Sequence, residues 1–210
     1  MWHEIQFEVF GMCDRRCPYC DAARNGYLDG LPDHAKFDRV VKEVYGRMPR
    51  VDNCALVGGE PSFWPYELQA RFITTMRLTY RNWTVFTNGR DMDAPLLNVP
   101  GWTYTLHLFG GDRVPNLPPN WRAVTVESPI QGATNYVDSG KYRNAPAPQD
   151  IAEARKSCDR HRIARIDIEH GVVYPCCKSA HGVPYSEYRF FQPPVCDDCV
   201  PFGMDTMQCA

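Results

Sequence analysis

The chain has 210 residues, of which 44% are hydrophobic and 23% are charged, and its formal net charge is −2. This charge argues against the basic surface of a strong nucleic-acid binder, and the length suits one core domain with a small appendage. The sequence has no apolar run of roughly 20 residues that would predict a membrane helix, and Met1 to Glu4 do not resemble a secretory signal. The 10 cysteines therefore predict metal ligation in a reducing, cytoplasmic compartment.

A first strand is predicted from Ile5 to Phe10, where apolar and polar residues alternate. Directly after it come Cys13, Cys17 and Cys20, in the spacing C-x3-C-x2-C. Three thiolates are one short of the closed four-cysteine site of a structural zinc or a simple electron-transfer cluster. The missing ligand indicates an open coordination position, where a substrate or cofactor can bind. A zinc site completed by a distant His or Cys is the alternative.

Strands and helices alternate through the rest of the first half. Apolar residues at helical spacing predict helices from Phe37 to Tyr45 and from Tyr66 to Leu78. Further strands are predicted over Cys54–Val57, Trp83–Thr87, Thr103–Leu108 and Ala123–Glu127. This alternation predicts an α/β fold with a parallel sheet whose site lies at the carboxyl ends of the strands. The connections between the third and fifth strands are rich in proline and glycine, so we expect a shortened, partial (β/α) barrel of five or six strands.

Two short motifs follow predicted strands. The second strand runs into Gly58, Gly59 and Glu60, and the third ends in Thr87-Asn88-Gly89. Two glycines let the backbone turn tightly and approach a ligand closely, and a glutamate there can accept hydrogen bonds from a ligand ammonium group. A surface turn after a buried strand is the alternative interpretation of the two glycines.

The chain beyond the proline-rich residues 144–148 carries a second group of cysteines. The residues from Arg165 to Pro175 alternate on either side of His170-Gly171 and predict a β-hairpin, which would bring Cys158 and Cys176 close together. A C-x2-C pair follows at Cys196 and Cys199. These four thiols suit an iron–sulfur cluster or a structural zinc. The predicted domains are therefore a core over residues 1–147 and a small cysteine-rich hairpin and helix extension over residues 148–210.

The three cysteines with Tyr19 before the last of them, the Gly-Gly-Glu and the Thr-Asn-Gly together resemble the signature of the radical S-adenosylmethionine (SAM) enzymes. The resemblance implies a 4Fe–4S cluster on Cys13, Cys17 and Cys20, with SAM on its fourth iron. It implies that Gly58, Gly59 and Glu60 bind the SAM amino group, and that Tyr19 and Thr87, Asn88 and Gly89 line the SAM pocket. A reductant such as flavodoxin or ferredoxin would then supply the electron that generates a 5′-deoxyadenosyl radical.

The C-terminal spacing, C-x12-G-x4-C followed by C-x2-C, resembles the auxiliary-cluster extensions known as SPASM and twitch domains. The shorter twitch version fits better, because only Cys209 follows the C-x2-C pair. The resemblance implies a second 4Fe–4S cluster on Cys158, Cys176, Cys196 and Cys199. Cys177 is interpreted as an unligated thiol, and Cys209 lies in the C-terminal tail.

The substrate is the least determined part of the prediction. We expect hydrogen abstraction from a C–H bond of a peptide or small molecule, although the first strand begins too near Met1 to leave room for a leader-peptide recognition domain. Modification of a nucleobase or nucleotide is one alternative, and a noncatalytic iron–sulfur or zinc protein on the same scaffold is another. His107 and Ser128 are the catalytic candidates, each from its position near a strand end. His107 also suits a hydrogen-bonded core histidine.

Overall fold

One mixed sheet organises the computed structural model, which describes residues 4–15, 29–109, 115–126, 163–174 and 182–188. Its strands are β1 (Glu4–Val9), β2 (Asn53–Gly58), β3 (Trp83–Thr87), β4 (Thr103–Phe109), β5 (Trp121–Val126), β6 (Ile163–Asp167), β7 (Val172–Tyr174) and β8 (Val183–Pro184). They lie in the order β5-β4-β3-β2-β1-β6-β7-β8. Strands β1 to β6 pair in parallel, and β7 and β8 are antiparallel additions.

Two α-helices pack on one face of this sheet, α1 (His34–Arg47) and α2 (Tyr66–Arg77). Helix α1 begins after Asp33, whose side chain accepts a hydrogen bond from the Lys36 backbone N–H at 3.0 Å and so caps the first turn. Its buried residues recur at helical spacing: Phe37, Val40, Val41 and Val44. Two short 3-10 helices, Pro61–Phe63 and Pro95–Leu97, follow β2 and β3.

The core lies between the helices and the buried side chains of the sheet. Phe37 of α1 stacks on Phe72 of α2 with ring centroids 4.4 Å apart, and contacts Phe7 of β1 edge-on at 6.2 Å. Phe7 in turn packs against Trp83 of β3 at 5.6 Å. All four side chains are at most 1% exposed, and burying each contributes about 2–3 kcal/mol of hydrophobic free energy. This aromatic cluster fixes the spacing of β1 and β3 beneath the helices.

The opposite face of the sheet, here called the inner face, is polar. Burial alternates along β1, with Ile5, Phe7 and Val9 buried and the residues between them partly exposed. Gln6 and Glu8 are partly exposed residues of β1, and the register pairs them with Arg165 and Asp167 of β6. Glu8, Arg165 and Asp167 therefore lie on this inner face. Arg165 lies with its Nε 3.6 Å from Glu8 Oε2 and its guanidinium 4.3 Å from the centre of the Tyr174 ring. The inner face therefore carries charged side chains, whereas the face under the helices is apolar.

The structure agrees with the predicted α/β class and differs in extent. Five or six strands were expected in the core, where the structure has β1 to β5. Strands β6 and β7 form the predicted hairpin and β8 pairs with β7, so the sheet has eight strands in the described part of the chain. The hairpin joins this sheet because β6 pairs with β1, Ile5 opposite Ala164 and Phe7 opposite Ile166. The predicted domain boundary at residues 147 and 148 lies outside the described residues and remains a prediction. None of the described helices is long and apolar enough to span a membrane.

Candidate functional site

The carboxyl ends of β1, β2 and β3 meet at one edge of the sheet. The segment after β2 is tied to the one after β1 by two backbone hydrogen bonds: Gly59 N–H donates to Val9 O at 3.0 Å, and Glu60 N–H donates to Met12 O at 2.9 Å. Cys13 is the next residue and is partly exposed. The parallel ladder thus continues beyond the strands and places the first predicted cluster cysteine beside the Gly-Gly-Glu motif.

Gly58 and Gly59 are required here by the approach of the chain to itself. Gly58 has a φ of 124°, and a Cβ at this position would lie 2.1 Å from Val9 O. A Cβ on Gly59 would lie 2.4 Å from Gly11 O. Real Cβ atoms do not approach oxygen this closely, so any side chain would push the β2 end away from the cysteine segment. From the sequence, the two glycines were predicted to let the backbone approach a ligand, which stays a prediction. Their described contacts are with backbone atoms of Val9 and Gly11.

Glu60 is a buried carboxylate surrounded by donors, with only 2% of its surface exposed. Its Oε1 accepts hydrogen bonds from the backbone N–H and hydroxyl of Ser62, at 3.1 and 2.7 Å, and from the Thr87 hydroxyl at 2.7 Å. Its Oε2 accepts one from the Asn88 backbone N–H at 2.5 Å. Oε1 thus accepts three hydrogen bonds and Oε2 only one, so a further donor would approach at Oε2.

Burial raises the pKa of Glu60, and its hydrogen bonds from Asn88, Ser62 and Thr87 oppose that shift. In this arrangement all four groups donate to the carboxylate, and each of these hydrogen bonds stabilises its ionised form against the effect of burial. A cation could approach Glu60 at Oε2, behind the ends of β2 and β3.

Thr87 and Gly89 complete the turn after β3. Thr87 is 4% exposed; its O–H donates to Glu60 Oε1, and its oxygen accepts a hydrogen bond from the Gly89 backbone N–H at 3.0 Å. Gly89 has a φ of 74°, and a Cβ there would lie 2.5 Å from Leu106 Cδ1. Both residues were predicted to line a cofactor pocket, but their described contacts shape the turn itself.

Asn88 connects this turn to the cysteine segment. Its side-chain Nδ2 donates to Asp14 Oδ1 at 2.9 Å and lies 3.9 Å from Cys13 Sγ, within hydrogen-bonding reach of a sulfur acceptor. Arg90 Nη1 donates to Asp14 Oδ2 at 3.2 Å. The Arg90 guanidinium also lies 5.5 Å from the centre of the Phe63 ring. The segments after β1, β2 and β3 are thus joined by side chains as well as by backbone.

His107 lies apart from these contacts, on the inner face of β4. Its neighbours Leu106 and Leu108 are buried on the helix side, and its ring is half-buried and meets Phe86 edge-on at 5.2 Å. Burial, and secondarily the Arg122 guanidinium, lowers the pKa of His107 to about 4. His107 is therefore neutral at neutral pH.

Several predicted site residues lie outside the described part of the chain. These are Cys17, Tyr19, Cys20, Ser128, Cys158, Cys176, Cys196 and Cys199. Within the described residues no three His, Cys, Asp or Glu side chains converge as a metal-binding group. The described residues bring together seven predicted site residues: Cys13, Gly58, Gly59, Glu60, Thr87, Asn88 and Gly89.

Sequence reasoning missed three residues of this site: Asp14, Ser62 and Arg90. Ser62 had a detectable signal, because Glu60 followed by Pro61 and Ser62 is the pattern of an acidic cap before proline at the first helical position. Asp14 and Arg90 had none, since 76 residues separate them and only the sheet brings them together.

The chemistry of this edge fits an iron–sulfur centre beside a cationic ligand. Cys13 offers a soft sulfur ligand at a strand end, and a side-chain N–H faces that sulfur as it would face a thiolate. Glu60 offers a buried anionic oxygen on the adjacent segment. Cys13 could therefore be one ligand of a thiolate-held cluster, and Glu60 could accept a hydrogen bond from the ammonium of an amino acid.

The chain matches the family model described as the radical SAM superfamily over residues 7–140. A search of curated proteins gives no match. Among solved structures the chain is similar to BtrN, crystallised in complex with AdoMet and 2-DOIA, with 15% identity and a TM-score of 0.48 over 84% of this chain and 73% of BtrN. SuiB of Streptococcus suis is similar over 51% of this chain and 24% of SuiB, with 18% identity and a TM-score of 0.37.

Proposed function

The chain belongs to the radical SAM superfamily, and we propose that Cys13, Cys17 and Cys20 are the thiolates that hold its 4Fe–4S cluster. Membership implies an enzyme that uses SAM and an iron–sulfur cluster to generate a radical. It favours this enzyme over the noncatalytic iron–sulfur or zinc protein that the sequence alone left open. We further propose that the fold is a partial barrel, and that the radical abstracts a hydrogen atom from a C–H bond of a peptide or small molecule.

The observation that supports one shared site for Cys13 and Glu60 is the contact that Asn88 makes with both. Asn88 donates from its backbone to Glu60 and from its side chain toward Cys13, so one residue touches both of the other motifs. Cysteine, glutamate and asparagine come from segments that follow three adjacent parallel strands. Active sites of such sheets lie at the carboxyl ends of the strands, which supports one shared site for all three motifs.

When bound, the cluster would supply the electron that cleaves SAM. This chain's residues would bind and orient the co-substrate: Glu60 Oε2 would accept a hydrogen bond from the SAM ammonium, since Oε1 already has three donors. Gly58 and Gly59 would hold the β2 end against the cysteine segment, so that carboxylate and cluster keep a fixed separation. Tyr19 and the Thr87–Gly89 turn would border the remainder of SAM.

The C-terminal cysteines are proposed as the ligands of a second cluster. Four thiols, Cys158, Cys176, Cys196 and Cys199, would close the coordination of a 4Fe–4S cluster and leave it electron transfer or structural support as its role. The antiparallel pairing of β6 and β7 supports the predicted hairpin around which this twitch-like unit, residues 148–210, would be built. A flavodoxin or ferredoxin in the cytoplasm is the proposed source of electrons.

Anaerobic reconstitution with iron and sulfide, followed by SAM and dithionite, tests this function. We expect about eight iron and eight sulfide per chain, because two 4Fe–4S clusters would be present, and formation of 5′-deoxyadenosine. Replacing Cys13, Cys17 and Cys20 together by Ala should abolish 5′-deoxyadenosine formation and leave about four iron on the C-terminal site. Undiminished 5′-deoxyadenosine in that variant would contradict the ligand assignment. About four iron plus one tightly held zinc would make the C-terminal site a structural zinc.

A further inference from the structure

Asn88 has a contact that binding of SAM does not require. Its carboxamide nitrogen lies 3.9 Å from Cys13 Sγ, on the side chain that also donates to Asp14 Oδ1 at 2.9 Å. A primary amide has two N–H groups, so both acceptors can be served at once. The backbone N–H of Asn88 is separately used by Glu60, and the side chain is therefore available to the cysteine segment.

The orientation of this amide is fixed by its oxygen. Asn88 Oδ1 accepts the Arg90 backbone N–H at 3.0 Å, which leaves the nitrogen to face Asp14 and Cys13. A flipped amide would place its oxygen against the Asp14 carboxylate and its nitrogen against an N–H donor, two repulsive contacts in place of two attractive ones. Arg90 also holds Asp14 through its guanidinium, so the acceptor that positions the amide is itself held.

Resting on the proposed cluster ligation by Cys13, we propose that the Asn88 carboxamide is a positioning residue that donates an N–H···S hydrogen bond to the Cys13 thiolate and raises the reduction potential of the bound cluster. The physical reason is charge. Reduction adds an electron that is shared with the cysteine sulfurs, so a donor at sulfur stabilises the reduced state more than the oxidised state. A low-potential external reductant, of the flavodoxin or ferredoxin class, would supply that electron.

The inference predicts a shift in potential when the donor alone is removed. Asn88→Leu keeps the approximate size of the side chain and the backbone N–H that Glu60 uses, but it has no amide donor. In the reconstituted full chain, we expect the EPR signal that changes on SAM addition to titrate at a more negative potential. At the midpoint of the unmodified protein, the ratio of reduced to oxidised cluster should fall about fivefold, as expected for loss of one ordinary hydrogen bond.

Asn98→Leu is the matched control, because it makes the same amide-to-leucine change in the connection after β3, where Asn98 Nδ2 donates to Met92 O at 2.8 Å and to Ala94 O at 3.1 Å. Its midpoint should stay close to that of the unmodified protein. Equal shifts in both variants would overturn the inference, since they would show that loop order rather than the N–H···S contact sets the potential. An unchanged midpoint in Asn88→Leu with full iron content would also overturn it.

Two further outcomes separate this inference from the proposed function. If Asn88→Leu does not take up iron, Asn88→Ser supplies the second test, and loss of iron in both would mean that the amide holds the loop together instead of tuning the sulfur. If the unmodified protein shows no SAM-responsive signal, the proposed ligand set fails and the inference fails with it. A normal signal with an unshifted variant would sink the inference alone.

Discussion

Polar side chains bridge neighbouring strands at both ends of the sheet, but they do so from different kinds of backbone. At the amino end, Asn53 Nδ2 donates to Glu4 Oε2 at 2.8 Å and to Thr84 Oγ1 at 3.1 Å, and Thr84 meets the Thr103 hydroxyl at 2.7 Å. These residues belong to β1, β2, β3 and β4. At the carboxyl end, the bridging residues Asp14, Glu60 and Asn88 follow strands and lie in connecting segments.

The difference indicates what each set of hydrogen bonds does. Residues at the amino end are already held by the backbone ladder, so their side-chain bonds add stability to positions that are fixed without them. Residues at the carboxyl end lie beyond the strands, where only two backbone hydrogen bonds join the described segments after β1 and β2, so side-chain bonds contribute more to where these segments lie. We therefore expect substitutions at the amino end to change stability alone, and substitutions at the carboxyl end to change SAM binding as well.

The largest effect is expected from Gly58→Ala, which adds a Cβ that would lie 2.1 Å from Val9 O at a φ of 124°. Backbone cannot yield as a flexible side chain can, so we expect a loss of roughly 3 kcal/mol in the free energy of unfolding, measured by urea titration. Gly101→Ala is the matched control, because Gly101 also has a positive φ, 84°, but no atom within 4 Å of its Cβ position. It should lose about 1 kcal/mol. Equal losses in the two variants would show that the positive φ, and not the contact with β1, is the reason for a glycine at Gly58.

Glu60→Gln tests the carboxyl end more directly. Glutamine has an NH₂ group in place of one carboxylate oxygen, and both of these oxygens accept hydrogen bonds in the unmodified protein. If the NH₂ group replaces Oε2, it faces the Asn88 backbone N–H, so two buried donors meet. Loss of a charge-assisted bond to the SAM ammonium should weaken SAM binding roughly tenfold or more, measured by calorimetry on the reconstituted protein. Glu67→Gln makes the same chemical change on the exposed side of α2 and should leave SAM affinity unchanged. Unchanged affinity in Glu60→Gln, with iron intact, would remove Glu60 from the SAM site.

Asn53→Ala tests the amino end. It removes the amide that joins Glu4 to Thr84, and we expect a loss of about 1–2 kcal/mol in the free energy of unfolding. Gln6→Ala removes only the bond to Glu4 Oε1 and should cost less. Both variants should bind SAM as the unmodified protein does. A marked loss of SAM affinity in Asn53→Ala would break the distinction between the two ends.

The smallest effect is expected at His107, which is half-buried on the inner face. Because its pKa falls to about 4 in the folded protein, against about 6.5 when unfolded, the unfolded state binds more protons between these values. The contribution of His107 is therefore fully present above pH 6.5 and is lost as the pH falls toward 4. His107→Leu should show a shallower decrease in unfolding free energy from pH 7 to pH 5 than the unmodified protein. Parallel pH profiles would mean that His107 does not titrate this way.

The sequence predicted most elements because their signals are local. The third strand agrees at both ends, and the helix expected from Tyr66 to Leu78 ends one residue earlier, at Arg77. The helix expected from Phe37 begins at His34, where the Asp33 cap sets its start. Periodicity shows which residues face the core but does not show where a polar first turn begins.

Strand partners and side-chain bridges could not be predicted in the same way. The hairpin was expected in an appended unit, whereas β6 lies against β1 in the main sheet, and alternation alone does not specify a neighbour. For the site, motif order placed Glu60 and Asn88 near one another. It could not show that a single carboxylate would collect four donors, because that depends on side chains packed across three segments.

The position of β1 between β2 and β6 has a consequence for how the chain folds. Ile5 pairs with Cys54 on one side and with Ala164 on the other, so β1 receives its second partner only after the whole stretch between Val9 and Ile163 has been made. Long-range parallel pairing of this kind forms slowly. Until β6 (Ile163–Asp167) pairs with it, β1 has an unpaired edge beside the apolar side chains of Ile5, Phe7 and Val9. Such an edge is a template for pairing with another chain.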